Sequence, residues 1–444
     1  MPSVDPKLVI RLGSHAEKDY LIKTTKFIDG LMVAGNLIES TPGATGSLLI
    51  RFGGKKANKP FYIDPITYGF SCDLDLLKSE QKKARGSKEV VWDFKKSYRK
   101  LAEQYGGLFA NVIASDTAIG VKDFASDAAI QAVASSVANY QLNRVRGEFE
   151  EDPELVDYTN NVPQPTAVLS PYFHCSGPRV QEWAELIPKF AAATVGLGLD
   201  VPIHGVICGG HDLVVNAEIR ENLVRGLLDS GCDGVWIWIT GFDEYRASED
   251  LLTGFRKLTE GLAQGVSVHN MHGGYFSLAL SKHGMSSTAH GVGYGEQKDI
   301  VPIQGQAMPT VRYYLPPVRR RLGVANIERT FREMKIFNVE DFYREICDCV
   351  ICRGIVKTHV DEFSAFGDAR LASSSSRRKS QTPAAAKRCR FHFLINRFKE
   401  VAALGTASLQ EIIEDLERSF TKWEQNGSVR DDLHHLKRWA SVLK

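Results

Sequence analysis

Six residues of this chain bring three thiols to metal-ligand spacing: Cys347-Asp348-Cys349-Val350-Ile351-Cys352. Thiolates at C-x-C-x-x-C spacing can point at one ion, and an imidazole from a helix can close the tetrahedron. His392 sits where a helical pattern opens and is the leading fourth ligand, with His359 and Cys389 as the alternatives. Four protein ligands leave zinc no open position, so the predicted Zn2+ is structural. It would clip C-terminal helices to the body that precedes them. The remaining cysteines outside this region, Cys72, Cys175, Cys208 and Cys232, lie in apolar or Gly-rich surroundings and read as reduced core residues.

A second set of chemistry-bearing residues falls at the ends of predicted strands. Phe61-Tyr62-Ile63-Asp64-Pro65 is an apolar run closed by an acid and a proline, and Tyr68 and Phe70 follow in the same loop. Gly209, Gly210 and Asp212 follow a strand at 203–208, and Asp243 with Glu244 and Arg246 follows one at 234–239. His272-Gly273-Gly274-Tyr275 and His290-Gly291 follow two more. Glycines in such loops let backbone amides and carbonyls approach a flat ligand, and tyrosines can stack on one. No third histidine stands at metal spacing beside these two loops, so they predict no second metal site.

These residues need a scaffold that gathers many strand ends. Strands at 108–113, 166–170, 203–208, 234–239, 266–269 and 286–289 alternate with helices at 125–140, 180–197, 217–230 and 248–263. Such alternation implies parallel strands with crossover helices. A doubly wound sheet concentrates its chemistry at one switch point. Polar loops after nearly every strand instead predict a TIM-type (β/α)8 barrel, whose C-terminal face all the loops line. The barrel is assigned to residues 1–335, with the short strands and loops of 8–50 as an N-terminal elaboration. Residues 336–444 form the zinc-binding helical subdomain, with helices at 391–403, 409–423 and 431–443 and a mobile Ser/Arg-rich insertion at about 365–388.

With 444 residues, 43% hydrophobic and 24% charged, the chain fits a soluble globular protein. Its net charge of +2 means that a polyanionic partner must be met by a local basic patch. Arg319-Arg320-Arg321, Lys379, Lys387, Arg388 and Arg390 are the candidates. No signal peptide and no apolar run of membrane-spanning length is evident, so a cytoplasmic location without membrane association is expected.

A barrel followed by C-x-C-x-x-C and a helix-opening histidine resembles the tRNA-guanine transglycosylase superfamily over roughly residues 55–405. The loop Asp64-Pro65-Ile66-Thr67-Tyr68-Gly69-Phe70 matches the family's early Asp-Ser-Gly-Gly-Phe loop but is two residues longer. Gly209-Gly210 matches its base-binding glycines in kind. Where the family places a nucleophilic aspartate, this chain reads Thr288-Ala289-His290-Gly291. That departure, with the Ile-Asp-Pro-x-Thr-Tyr loop and the Ser-rich gap before His392, is more like the DNA-modifying branch.

The resemblance implies exchange of guanine in DNA for a 7-deazaguanine such as preQ0, a queuosine-related base, with tRNA as the alternative polymer. It implies a pentosyltransferase working through a covalent glycosyl-aspartate. Asp64 would be the acid/base group, Tyr68 or Phe70 would stack on a base, and the nucleophile would be Asp243 or, failing that, Asp212. Gly209, Gly210, His272, Gly273, Gly274, Tyr275 and His290 would surround the base. A target base must leave the helical stack, so accessory DNA-opening proteins are conceivable partners. The rivals are a catalytically inactive nucleic-acid-binding relative and an unrelated barrel hydrolase.

Overall fold

The computed structural model describes every residue except 1–3, 15–16, 55–56, 83–89, 151–155, 157–158, 160–161, 301–309, 372–378 and 426. Eight parallel strands follow one another in chain order around one sheet: β1 (Lys7–Leu12), β2 (Gly30–Ala34), β3 (Phe61–Asp64), β4 (Val168–Leu169), β5 (Ile203–Gly209), β6 (Gly234–Ile239), β7 (Ser267–Asn270) and β8 (Met285–Gly291). β1 lies beside β8 with Val9 opposite Ala289, so the first and last strands are neighbours. The open seam is between β3 and β4. There Thr166 N–H donates to the Phe61 carbonyl at 2.9 Å, and Phe61 N–H donates to Thr166 Oγ1 at 3.0 Å. The result is a nearly closed parallel barrel, as the alternation predicts.

Burial explains the strand sequences. β5 and β6 are buried at every position, because barrel strands face side chains inside and helices outside. The interior holds Val9, Met32, Tyr62, Leu169, Val206, Trp236, Trp238 and Ala289. Toward its N-terminal end the rings of His204 and His269 stack at 4.9 Å, with Trp236 4.7 Å from His269. Outside run α1 (Asp127–Glu150), α2 (Val180–Val195), α3 (Ala217–Asp229), α4 (Glu249–Leu262) and the short α5 (Tyr275–Ala279).

Three expectations change. The segments at 8–50 are not an elaboration: they supply β1 and β2, one of them central to the closed face. The apolar run at 108–113 is not a strand but part of a helix, Gly107–Ser115, which buries Phe109 and Val112. Those two residues are three apart, the period of a helix face, and a short apolar run does not by itself distinguish the two states. Finally, the helix carrying His392 begins earlier than residue 391. It is α6 (Pro383–Thr406), capped by Thr382, whose side chain accepts from Ala385 N–H. Thr-Pro is a strong helix start, since threonine caps and proline fits the first turn.

The ends of the expected insertion are ordered elements: Ala369–Leu371 pairs antiparallel with Lys379–Gln381. Its Ser-rich centre, 372–378, lies outside the described residues. α7 (Leu409–Trp423) and α8 (His434–Leu443) complete the chain. Trp439 of α8 stacks on Tyr275 at 5.9 Å and donates to the Glu244 carbonyl at 2.9 Å, fixing the last helix to the barrel.

Candidate active site and metal centre

Strand periodicity puts Arg11 of β1 and Asp64 of β3 at the C-terminal mouth of the barrel. Asp64 is 1% exposed. Its Oδ2 accepts from Arg11 Nη2 at 2.5 Å, and its Oδ1 accepts from Tyr172 Oη at 2.6 Å and from Ile66 N–H at 3.0 Å. Burial alone would raise the carboxyl's pKa, but Arg11 and these hydrogen bonds outweigh it and hold Asp64 below the usual carboxylate range. The loop beyond it is locked. Ile66 takes a left-handed φ of 47°, costly for a β-branched residue, and the Thr67 hydroxyl donates to the Tyr172 carbonyl at 2.5 Å.

Aromatic rings wall this acid. Tyr68 stacks on Tyr172 at 5.7 Å and meets Trp238 edge-on at 4.7 Å. Lys298, from the loop after β8, donates to Tyr68 Oη at 3.0 Å and lies 4.9 Å from the Trp238 ring centre. Burial, with Arg11 nearby, lowers the lysine to about 8, despite the attraction of Asp64. His272 lies 5.2 Å from Trp238. Its Nδ1 faces the Gly295 carbonyl at 3.2 Å and so carries the proton, leaving Nε2 a buried acceptor without a partner among the described residues. Burial, then Arg11 and Lys298, keep this imidazole neutral. The mouth thus joins Arg11, Asp64, Tyr68, Tyr172, Trp238, His272 and Lys298. Of the sequence candidates, Asp64, Tyr68 and His272 are gathered here. Arg11, Tyr172, Trp238 and Lys298 are additions.

Other candidates go elsewhere. Phe70 is fully buried between Tyr98 and Phe109, so it cannot stack on a base. Tyr275 is consumed by Trp439 on one side and Arg319 on the other. His290 alternates with inward-facing Ala289 and lies outside the barrel against Phe393 at 5.1 Å. Gly209 serves packing: a Cβ there would stand 2.3 Å from the Cys175 carbonyl. A Cβ at Gly210 would meet only Ser176 Cβ, at 4.0 Å, and Asp212 is exposed at the start of a four-residue helix. Asp243 turns to its own loop, accepting from Tyr245 N–H at 3.0 Å and facing Arg246 at 3.7 Å. It lines a cavity of about 710 Å³ with Glu244, Tyr294, Glu296, Arg320 and Arg321.

The glycines of the His-Gly-Gly-Tyr loop do allow a close backbone approach, but of a protein carboxylate. Glu244, buried, accepts from the N–H groups of Gly274 at 2.8 Å, Phe276 at 3.0 Å and Ser277 at 3.2 Å. A Cβ at Gly274 would stand 2.8 Å from Glu244 Oε2. Burial raises Glu244 to about 7 against these hydrogen bonds. The arginine run is likewise internal. Arg319 meets Asp415 at 2.7 Å, Arg320 meets Asp432 at 3.0 Å and Arg321 meets Glu296 at 3.2 Å. Those three cations do not form the surface grip that the sequence suggests.

In the C-terminal region, Cys347, Cys349, Cys352 and His392 are buried, with all four ligand atoms within 4.8 Å of one another. His392 Nδ1 lies 3.9, 3.3 and 3.4 Å from the three sulfurs in that order. Its Nε2 donates to the Tyr314 carbonyl at 2.6 Å, which fixes the tautomer and leaves the Nδ1 lone pair for an ion. Tyr313 stacks on the imidazole at 4.0 Å, and its hydroxyl lies 3.2 Å from Cys352 Sγ. The donor set, its spacing and these surrounding groups fit a metal ion such as zinc. The other proposed ligands fall away: Cys389 is buried against the Phe366 carbonyl, and His359 caps a 3-10 turn.

Among the described residues, no helix is long and apolar enough to cross a membrane. No family model and no curated protein matches this chain.

Proposed function

We propose that this protein is a guanine transglycosylase that exchanges guanine in DNA for a 7-deazaguanine base such as preQ0. The observation that carries the reading is Asp64, one buried, ionised carboxylate fixed at the barrel mouth beneath aromatic faces. Cleaving a glycosidic bond develops positive charge at C1′, which a fixed carboxylate stabilises or attacks. Because Asp64 is held ionised, it suits the nucleophile's role better than the acid/base role implied by the resemblance. Its oxygen bonds to C1′ as the C1′–N9 bond breaks, and the bond's electron pair leaves with N9. Lys298, near neutral in pKa, gives that departing base a proton. The incoming base loses its N9 proton to the same amine and attacks C1′, and the Asp64 ester bond breaks. Tyr68, only partly buried, offers the base its stacking surface, with Trp238 packed edge-on behind it.

The bound Zn2+ would be saturated by four protein donors and would act as a staple, outside the chemistry. The test incubates the protein with labelled guanine or preQ0 and either plasmid DNA or bulk tRNA. Label in DNA is expected. Label in tRNA alone overturns the choice of polymer. Exchange with neither, despite tight binding, overturns the enzyme and leaves a nucleic-acid-binding relative.

A further inference from the structure

β7 ends on Asn270, and that residue decides how the next side chains are presented. Its Oδ1 accepts from His272 N–H at 3.0 Å, a turn that asparagine makes readily, and its Nδ2 donates to Ser277 Oγ at 2.7 Å. His272 is thereby fixed at the barrel mouth, 6% exposed, with its ring 5.2 Å from Trp238, the indole that backs Tyr68. The Gly295 carbonyl takes up the Nδ1 proton, from a residue whose φ of 98° suits glycine. Backbone and ring are both held, so the imidazole offers Nε2 as an acceptor in a set direction.

The polar atoms around it are spent on one another. Asp64 Oδ1 accepts from Tyr172 and Ile66, and Oδ2 from Arg11. Tyr68 Oη accepts from Lys298, and Trp238 Nε1 donates to the Lys298 carbonyl at 3.0 Å. Among the described residues of the mouth, His272 alone has a buried side-chain polar atom with no partner. An unpaired buried acceptor costs free energy, which a ligand N–H placed against it would return. The bases that the exchange must admit narrow the choice of donor. Guanine and a 7-deazaguanine differ at position 7 and share their N1–H. Adenine turns a lone pair outward at N1, so it would meet Nε2 acceptor to acceptor. Arg11 and Lys298 are donors and cannot receive N1–H.

We infer that His272 is the specificity-determining residue of this site: its Nε2 accepts the N1–H of the base, admits guanine and 7-deazaguanines alike, and rejects adenine. The inference deepens the proposed function and rests on it. The test reads binding and not exchange, by equilibrium dialysis of the full chain against labelled guanine or labelled 2-aminopurine, which lacks N1–H and O6. The parent is expected to hold guanine about thirty-fold more tightly, since a site built around a hydrogen bond rejects the analogue that cannot make it. In His272→Phe the preference should fall to about three-fold, the remainder being the loss of O6. His272→Gln, whose amide oxygen can stand in for Nε2, should restore most of it. Melting temperature reports whether each variant is folded. A readout that needs no variant is the 15N resonance of His272 Nε2 in the parent, which should move upfield with guanine and stay in place with 2-aminopurine. An undiminished preference in folded His272→Phe, or an Nε2 resonance that bound guanine leaves unmoved, overturns the inference while the proposed function stands. A parent that binds neither base overturns the proposed function, and the inference with it.

Discussion

Removing the Asp64 carboxylate leaves the Arg11 guanidinium buried without its counter-charge. Asp64 is 1% exposed and the Arg11 side chain 12%. Asp64→Asn should therefore abolish exchange and also cost about 3–5 kcal/mol of stability, the usual penalty for orphaning a buried charge. The double variant Arg11→Met with Asp64→Asn should regain much of that stability in urea unfolding and none of the exchange. Recovery of both would make the pair merely structural. Asp243→Asn is a sharper comparison. Its partner Arg246 is exposed, so stability should change by less than about 0.5 kcal/mol, and exchange should persist. If exchange vanishes with folding intact, Asp243 and not Asp64 carries the glycosyl group. Asp64, Tyr68 and His272 are legible in the sequence because each ends or follows a recognisable strand. Arg11, Tyr172, Trp238 and Lys298 are not. Each looks ordinary in its own segment, and only closure of the barrel, which sets β1 beside β8, brings them together.

The metal cluster joins elements distant in the chain: the strand Tyr313–Leu315, which pairs antiparallel with Arg320–Leu322, the cysteine turn and α6. Substituting Cys349 by Ser removes one thiolate and should release stoichiometric zinc, measured by atomic absorption. Hydrogen exchange should then quicken in α6 and in Tyr313–Leu315, because the ion's binding energy is part of their folding energy. Slow exchange there, or retained zinc, would count against the Cys347, Cys349, Cys352 and His392 set. At this scale the sequence is a good guide wherever local signals agree. Gly234–Ile239 and Leu409–Trp423 form the strand and helix expected. It misleads at the Gly107–Ser115 helix, where a short apolar run interrupted by Asn111 suits either state. The apolar spacing also starts α6 too late, at residue 391, although Thr382-Pro383 marks the true start, so His392 lies within the helix and not at its opening. A mid-helix position, with Asn396 one turn on donating to the His392 carbonyl at 2.8 Å, holds the imidazole more firmly than a frayed terminus would.

For the molecule as a whole, five buried histidines set the response to acid. His204 is lowered to about 4, His290 and His435 to about 3, and His269 and His272 also lie below the ordinary value, burial being the main cause in each. Around the stacked pair, Asp233 partly offsets the burial of His204, while Lys7 adds to the lowering of His269. Trp236 Nε1 donates to His204 Nδ1 at 3.1 Å, and Ser287 Oγ lies 2.7 Å from His269 Nδ1. The folded chain keeps these rings neutral, whereas the unfolded chain protonates them near the ordinary pKa of about 6.5. A depressed pKa means stability is full above that value and is lost as pH falls toward the folded values. Each ring costs about 1.4 kcal/mol per pH unit over its window. Glu244, raised to about 7, opposes this with one proton, since its protonated form is the one that the fold favours. Four protons net correspond to a slope of roughly 5–6 kcal/mol per pH unit below pH 6, enough to exhaust the stability of an ordinary domain within about two units. The urea midpoint should therefore fall steeply between pH 6.5 and 5, before most carboxylates titrate. A midpoint that stays level to pH 5 would mean that these rings protonate in place, and that the barrel interior is wetter than its packing implies.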